Sequence, residues 1–165
     1  MFDDDGYDWG AYIRFANICS SEFILFCNSY CEVLANNWLY HLIAPLKDKN
    51  IVISGATGSY SSYVNRNPPL SLIVLNPIYY FKKFFSFLYS FFLFRGSYQT
   101  FPSIHLRSNS FVIRKENFLE YTNTQTFPRT KDDCHKLENG FNSMSRFFLL
   151  KGFTIVIVDK KGCFY

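Results

Sequence analysis

Five cysteines and three histidines carry the most reactive side chains of this 165-residue sequence, and their spacing limits what chemistry they could share. Cys19, Cys27, Cys31, Cys134 and Cys163 are an odd number and form no CxxC pair, the spacing of zinc and dithiol sites. His41, His105 and His135 are scattered, and Cys134 and His135 are adjacent rather than on one helical face, so the spacing does not encode a metal centre. Nucleophilic catalysis through a Cys and a His would need a proximity that spacing alone does not supply. Cys27 and Cys31 read most simply as buried thiols at a strand end. Ile51 to Gly58 (IVISGATG) runs a strand into glycines, an arrangement that can turn backbone N–H groups onto a pyrophosphate. The dinucleotide fingerprint then fails, because position 61 is Ser and Asn65 to Pro69 breaks the chain where the binding helix would run. A tight turn after a strand is the expectation there.

The elements that position these residues follow from apolar spacing. Trp9, Tyr12, Ile13 and Ala16 predict an amphipathic helix entered from the Gly6 turn. Glu22 to Cys27 (EFILFC) reads as a buried parallel strand ending at the polar Asn28-Ser29-Tyr30. Trp38, Leu39, Leu42 and Ile43 follow Asn36-Asn37 as a helix stopped by Pro45, and Asn50 to Ser54 is the next strand. Asn65 to Pro77, with Pro68, Pro69 and Pro77, is a loop with one short extended piece. Phe81 to Phe94 is an apolar helix flanked by Lys82, Lys83 and Arg95. Ser110 to Arg114 and Phe153 to Val158 are strands, with a helix over Asn139 to Lys151 ended by Gly152. Strands alternating with helices predict an α/β domain with a mostly parallel sheet.

Composition narrows the classes. One domain with a buried core accounts for the length, and a second is excluded. A net charge of +4 with 18% charged residues beside 48% hydrophobic ones fits neither a disordered tail nor a nucleic-acid arm. Aromatic residues make up 21%, so the interior must be built largely from rings. The odd cysteine count, the acidic start and the absence of an Asn-x-Ser/Thr acceptor predict a reducing, cytoplasmic compartment. Phe84 to Phe94 is shorter than the roughly 20 residues that span a bilayer, so no transmembrane helix is expected. Peripheral contact with the inner membrane through the Phe81 to Phe94 helix is the alternative to its packing on the domain.

Taken in order, the blocks Asp8-Trp9-Gly10-Ala11-Tyr12, EFILFCNSYCEVLANNWL (22–39), NIVISGATGSYSS (50–62), FPSIHLRSNSFVIRKENFL (101–119) and KLENGFNSMSRFFLLKGFTIVIVDKKG (136–162) resemble bacterial family 2 glycosyltransferases of the polysaccharide-synthesis type. That resemblance implies a GT-A-like sheet flanked by helices, here partial, with an insertion over 64–100 that carries the aromatic-rich helix. It implies transfer of a sugar from a nucleotide-sugar donor to a saccharide acceptor with inversion, in cell-surface polysaccharide synthesis. It makes Glu138 the catalytic base and places Asn28, Ser29, Tyr30, His105, Arg107 and Asn109 at the substrates. Family members hold Mg2+ or Mn2+ on a DxD-type motif after the strand that EFILFC resembles.

Two departures accompany the likeness. Asn28-Ser29-Tyr30 stands at the DxD-like locus without a carboxylate, leaving Glu32 as the nearby acid for a metal, and Asn139 replaces the Asp that would pair with Glu138. Family members normally begin with a strand and helix that help to hold the nucleotide base, and the resemblance starts instead at the acidic turn Asp3 to Asp5, so this segment is expected to be absent. The expectation that follows is a fragment or a non-catalytic remnant as the alternative to an active transferase, with an interaction module as a third class.

Overall fold

Side chains alternate across FILFC and SFVIR, so both sheet faces must be covered, and helices cover them. In the computed structural model, which describes residues 5–62, 85 and 96–163, the order is α1 (Tyr7–Ile18), β1 (Phe23–Cys27), α2 (Trp38–Ile43), a 3-10 turn (Ala44–Lys47), β2 (Ile51–Gly55), β3 (Gly58–Ser59), β4 (His105–Leu106), β5 (Ser110–Arg114), α3 (Lys115–Thr122), α4 (Lys131–Asn139), α5 (Met144–Leu150) and β6 (Thr154–Ile157). The four strands expected from the apolar runs share one sheet, in the order β1-β5-β2-β6, while β3 and β4 pair separately.

The protein is a mixed α/β domain, but the sheet is not mostly parallel. β5 runs antiparallel to both β1 and β2, and the β2–β6 pairing is parallel. An apolar run reads the same in either direction, so the sequence pattern carries no information on strand sense. α2 carries the chain from β1 to β2 across a gap of one strand, and β5 fills that gap from the opposite direction. β1 pairs antiparallel with β5 and, among the described residues, has no other neighbour, which corrects its reading as a buried parallel strand: its burial alternates, and Cys27 is exposed.

Rings dominate one face. Trp9, Tyr12, Phe26, Phe111, Phe118 and Phe148 form a continuous core with contributions from α1, α3, α4 and α5. Leu42, Leu46, Ile51, Val112, Val156 and Val158 form the other core, under α2 and the 3-10 turn. In β2 the register against β6 slips between Ile51 and Ile53, the mark of a bulge, and it lets Ile51 face one core while Val52 and Ile53 serve the other.

The helix expected over 139–151 is shorter, Met144–Leu150, because a separate helix, α4, ends at Asn139. Asn139 ends α4 with its side chain buried between Ser103 and Ser61, and Gly140 is extended and bridges Tyr98. A Cβ at Gly140 would strike the Lys136 backbone, so glycine fits this corner. At its other end α4 carries a reciprocal capping box between Thr130 and Asp133. Close to this corner, the Ser62 hydroxyl donates to the Gln99 carbonyl and the Ser103 N–H to Tyr60 O at 3.1 Å. The Phe81 to Phe94 helix, its membrane alternative and the loop over 65–77 lie outside the described residues. Among the described residues no helix is long and apolar enough to cross a membrane.

Candidate functional site

β1, β2 and β6 end on the side of the sheet where β5 begins, since Cys27 pairs with Ser110 and Gly55 with both Phe111 and Ile157. Turns at this edge are tied across the strands. Asn28 N–H donates to Asn109 O at 2.9 Å, Ala56 N–H to Ser110 O at 3.0 Å and Arg107 N–H to Thr57 O at 3.1 Å. Gly58 lies where the β2 turn closes, and a Cβ there would meet the end of the Ile157 side chain, which would have to shift. IVISGATG is a strand, β2, followed by a tight turn, as its sequence suggested, and the turn leads directly into β3.

Two clefts open at this edge and share Asn28 and Asn109. The first, of about 690 Å³, is walled by Tyr30, Glu32, Leu34, Trp38 and Thr57 among others. The second, of about 480 Å³, includes Trp9, Arg107, Ser108, Lys131, His135 and Glu138 in its lining. The structure thus gathers Asn28, Arg107, Asn109 and Glu138 around one cleft and Asn28, Tyr30, Glu32 and Asn109 around the other. Ser29 is exposed and lines neither.

His105 also lines neither cleft. It is 4% exposed, with Nδ1 2.8 Å from the Ser103 carbonyl. Burial pushes its pKa below the usual histidine range, against the opposing pull of the Ser103 carbonyl and Glu138. Glu138 lies in the last turn of α4 rather than at a helix entrance. Ser108, which sequence reasoning missed, holds it: the Ser108 N–H donates to Glu138 Oε2 at 3.3 Å and the Ser108 hydroxyl donates to the same oxygen. Ser108 is itself fixed by Tyr12, whose hydroxyl donates to its carbonyl at 3.1 Å. Burial raises the Tyr12 pKa well above the ordinary tyrosine value, with the nearby acids Asp8 and Glu138 adding to it, so the phenol stays a donor. Glu138 Oε1 has no hydrogen-bond partner among the described residues.

Cys27 and Cys31, expected as buried thiols, are exposed at the first cleft. Cys31 Sγ lies 2.9 Å from Asn109 O and 3.3 Å from Asn28 Oδ1 and joins the two turns. Asn28 Oδ1 also accepts the Tyr30 N–H at 3.1 Å. The donors at this locus do not fit Mg2+ or Mn2+, which take several oxygen ligands with charged carboxylates among them. Asn28 Oδ1 is already engaged, Glu32 is an exposed loop acid, and no group of three or more His, Cys, Asp or Glu that could hold a metal occurs among the described residues. Local sequence gave one usable sign of the missed partners, because Thr57 and Ser108 are hydroxyl residues within the very turns that the strand ends define. Compared with known proteins, the chain matches no family model, no curated protein and no solved structure.

Proposed function

We propose that the protein is a glycosyltransferase-like domain that transfers a sugar from a nucleotide-sugar donor to a saccharide acceptor with inversion, as in cell-surface polysaccharide synthesis. The observation that carries this reading is the held carboxylate: Glu138 stands in a cleft that shares Asn28 and Asn109 with a larger cleft at the strand ends. The larger cleft suits the donor, and the smaller one suits the acceptor hydroxyl. Ser108 occupies Oε2 and orients the carboxylate, so Oε1 is the atom that takes the acceptor proton. As that proton moves, the hydroxyl oxygen bonds to the anomeric carbon, and the bond from that carbon to the diphosphate breaks with its electron pair leaving on the diphosphate. Holding base and donor in adjoining clefts supplies the orientation on which such a displacement depends.

The alternative of a non-catalytic remnant is favoured by one observation, the carboxylate-free Asn28-Ser29-Tyr30 locus. Glu138→Gln separates the two. Gln keeps an oxygen for Ser108 and removes proton acceptance, so turnover should fall by about 10² to 10⁴ while nucleotide-sugar binding survives. An unchanged rate removes Glu138 as the base. Absence of transfer by the wild-type chain with every nucleotide sugar tried transfers the reading to the remnant.

A further inference from the structure

We propose that the donor's diphosphate is met at the seam between the two clefts by protein hydrogen-bond donors, the Asn28 and Asn109 amides and the Arg107 guanidinium, in place of a divalent cation; this rests on the transferase reading above. The argument begins with which end of each amide is engaged. Tyr30 N–H can only donate, so the group it meets on Asn28 must be the carbonyl oxygen, Oδ1, and the orientation of this amide is fixed by chemistry. The Cys31 thiol approaches the same oxygen. Asn109 Oδ1 accepts the Thr57 hydroxyl at 2.7 Å. Both side chains therefore direct their acceptors into the protein, and each keeps an Nδ2 amino group with no partner among the described residues. A cation requires the oxygens, whereas a phosphate requires the N–H groups.

Arg107 completes the set. Its side chain is exposed, it lines the second cleft beside both asparagines, and among the described residues it has no ion-pair or hydrogen-bond partner. A guanidinium offers paired donors that match phosphate oxygens. Carboxylates border both clefts: Glu138, whose Oε2 is held by Ser108, and the exposed Asp8 line the second, while Asp159, whose Oδ1 accepts the Lys161 and Cys163 N–H groups at 2.8 and 3.0 Å, and the exposed Glu32 line the first; among the described residues none of them pairs with Arg107. Backbone bonds join Asn28 to Asn109 and Arg107 to Thr57 and so set the spacing of the turns that carry the donors, and Tyr30 and Thr57 orient the two amides before any ligand arrives. Donors fixed in advance stabilise the charge that grows on a departing diphosphate without reorganising as it leaves.

Calorimetry on the full chain with inorganic pyrophosphate, in EDTA and then in Mn2+, tests the proposal. The expected result is binding in EDTA that Mn2+ changes by less than about threefold, with Arg107→Ala weakening it by about tenfold or more. Asn28→Asp keeps an acceptor for Tyr30 N–H and replaces the amino group by a charged oxygen, so it should also weaken pyrophosphate binding by about tenfold. Circular dichroism checks that each variant folds. Pyrophosphate binding that needs Mn2+, tighter Mn2+-dependent binding by Asn28→Asp, or no pyrophosphate binding in either buffer overturns the proposal. Sugar transfer that is strictly Mn2+-dependent overturns it too and leaves the transferase reading standing. Metal-independent pyrophosphate binding without any nucleotide-sugar turnover sinks the transferase reading and retains the anion site.

Discussion

One face of the sheet packs rings against rings, with Trp9 stacked on Phe118 at 6.1 Å and Phe26 4.6 Å from Phe118, whereas the fully buried side chains on the other, such as Leu42, Leu46 and Val156, are aliphatic, with the rings of Phe23 and Trp38 only at its margin. The ring face carries α4 and with it Glu138; the aliphatic face carries α2 and lies behind the larger cleft. The surfaces above them differ in the same sense. On the ring side, Tyr12, Ser108 and Glu138 form a chain of hydrogen bonds, while beside the larger cleft Tyr30 is 94% exposed and Leu34 80%. The carboxylate proposed as proton acceptor is thus set in the tightly packed half, and the surface proposed for the larger ligand is built from exposed side chains. Catalysis asks for the first arrangement, and accommodation of a bulky donor asks for the second.

The largest effect that tests this contrast is on stability. Phe118→Ala should destabilise the domain by about 3–5 kcal/mol in urea titrations, because it leaves a cavity and removes ring contacts worth about 0.5–1.5 kcal/mol beyond area. Leu46→Ala, at an equally buried site on the aliphatic face, should cost less. Equal losses would break the comparison.

Asn139→Asp comes next. Asn139 Nδ2 donates to the Ser61 carbonyl at 3.1 Å while its Oδ1 accepts the Ser103 hydroxyl. An Asp would face that carbonyl with a second oxygen inside a buried site, so a loss of about 1–3 kcal/mol is expected. Restoring the acidic pair in this way should therefore weaken the corner that carries Glu138. A stable and more active Asn139→Asp variant would show instead that the corner adapts.

Thr130→Ala is the smallest test, at about 1 kcal/mol for a lost cap. It has a pH signature. The Thr130 hydrogen bond and the Arg129 N–H hold Asp133 below the usual carboxylate range, and Lys136, with help from Tyr98, does the same for Asp132. Groups with depressed folded pKa values stabilise the fold above their unfolded value of about 4 and lose that contribution as pH falls through the folded value. Melting temperature should therefore drop on acidification from pH 6 to 3, and Thr130→Ala should flatten part of that slope.

The strands were legible in the sequence because EFILFC, NIVIS, SFVIR and FTIVIV are short apolar runs between polar turns. Their sense was not, since no apolar pattern records it. α3 and α4 escaped notice for other reasons: KDDCHKLEN places few apolar residues among many charges, with Leu137 the buried apolar side chain of α4, and KENFLEYT is too short a run to display a helical period. Thr130 three residues before Asp133 was the sign that a helix begins there. Within the site, Glu138, Asn28, Arg107 and Asn109 were singled out and share a cleft. Ser108 and Thr57 were not, because a hydroxyl that orients a neighbour looks like any other turn residue until the neighbour is placed.

The hydrogen bonds from Ser62 to Gln99 and from Ser103 to Tyr60 have a consequence for what this domain can tolerate. They staple the two-stranded β3–β4 pair from beyond its own ladder, so the Thr57 and Arg107 turns are held by redundant ties, and the loss of any one of them should leave the others in register.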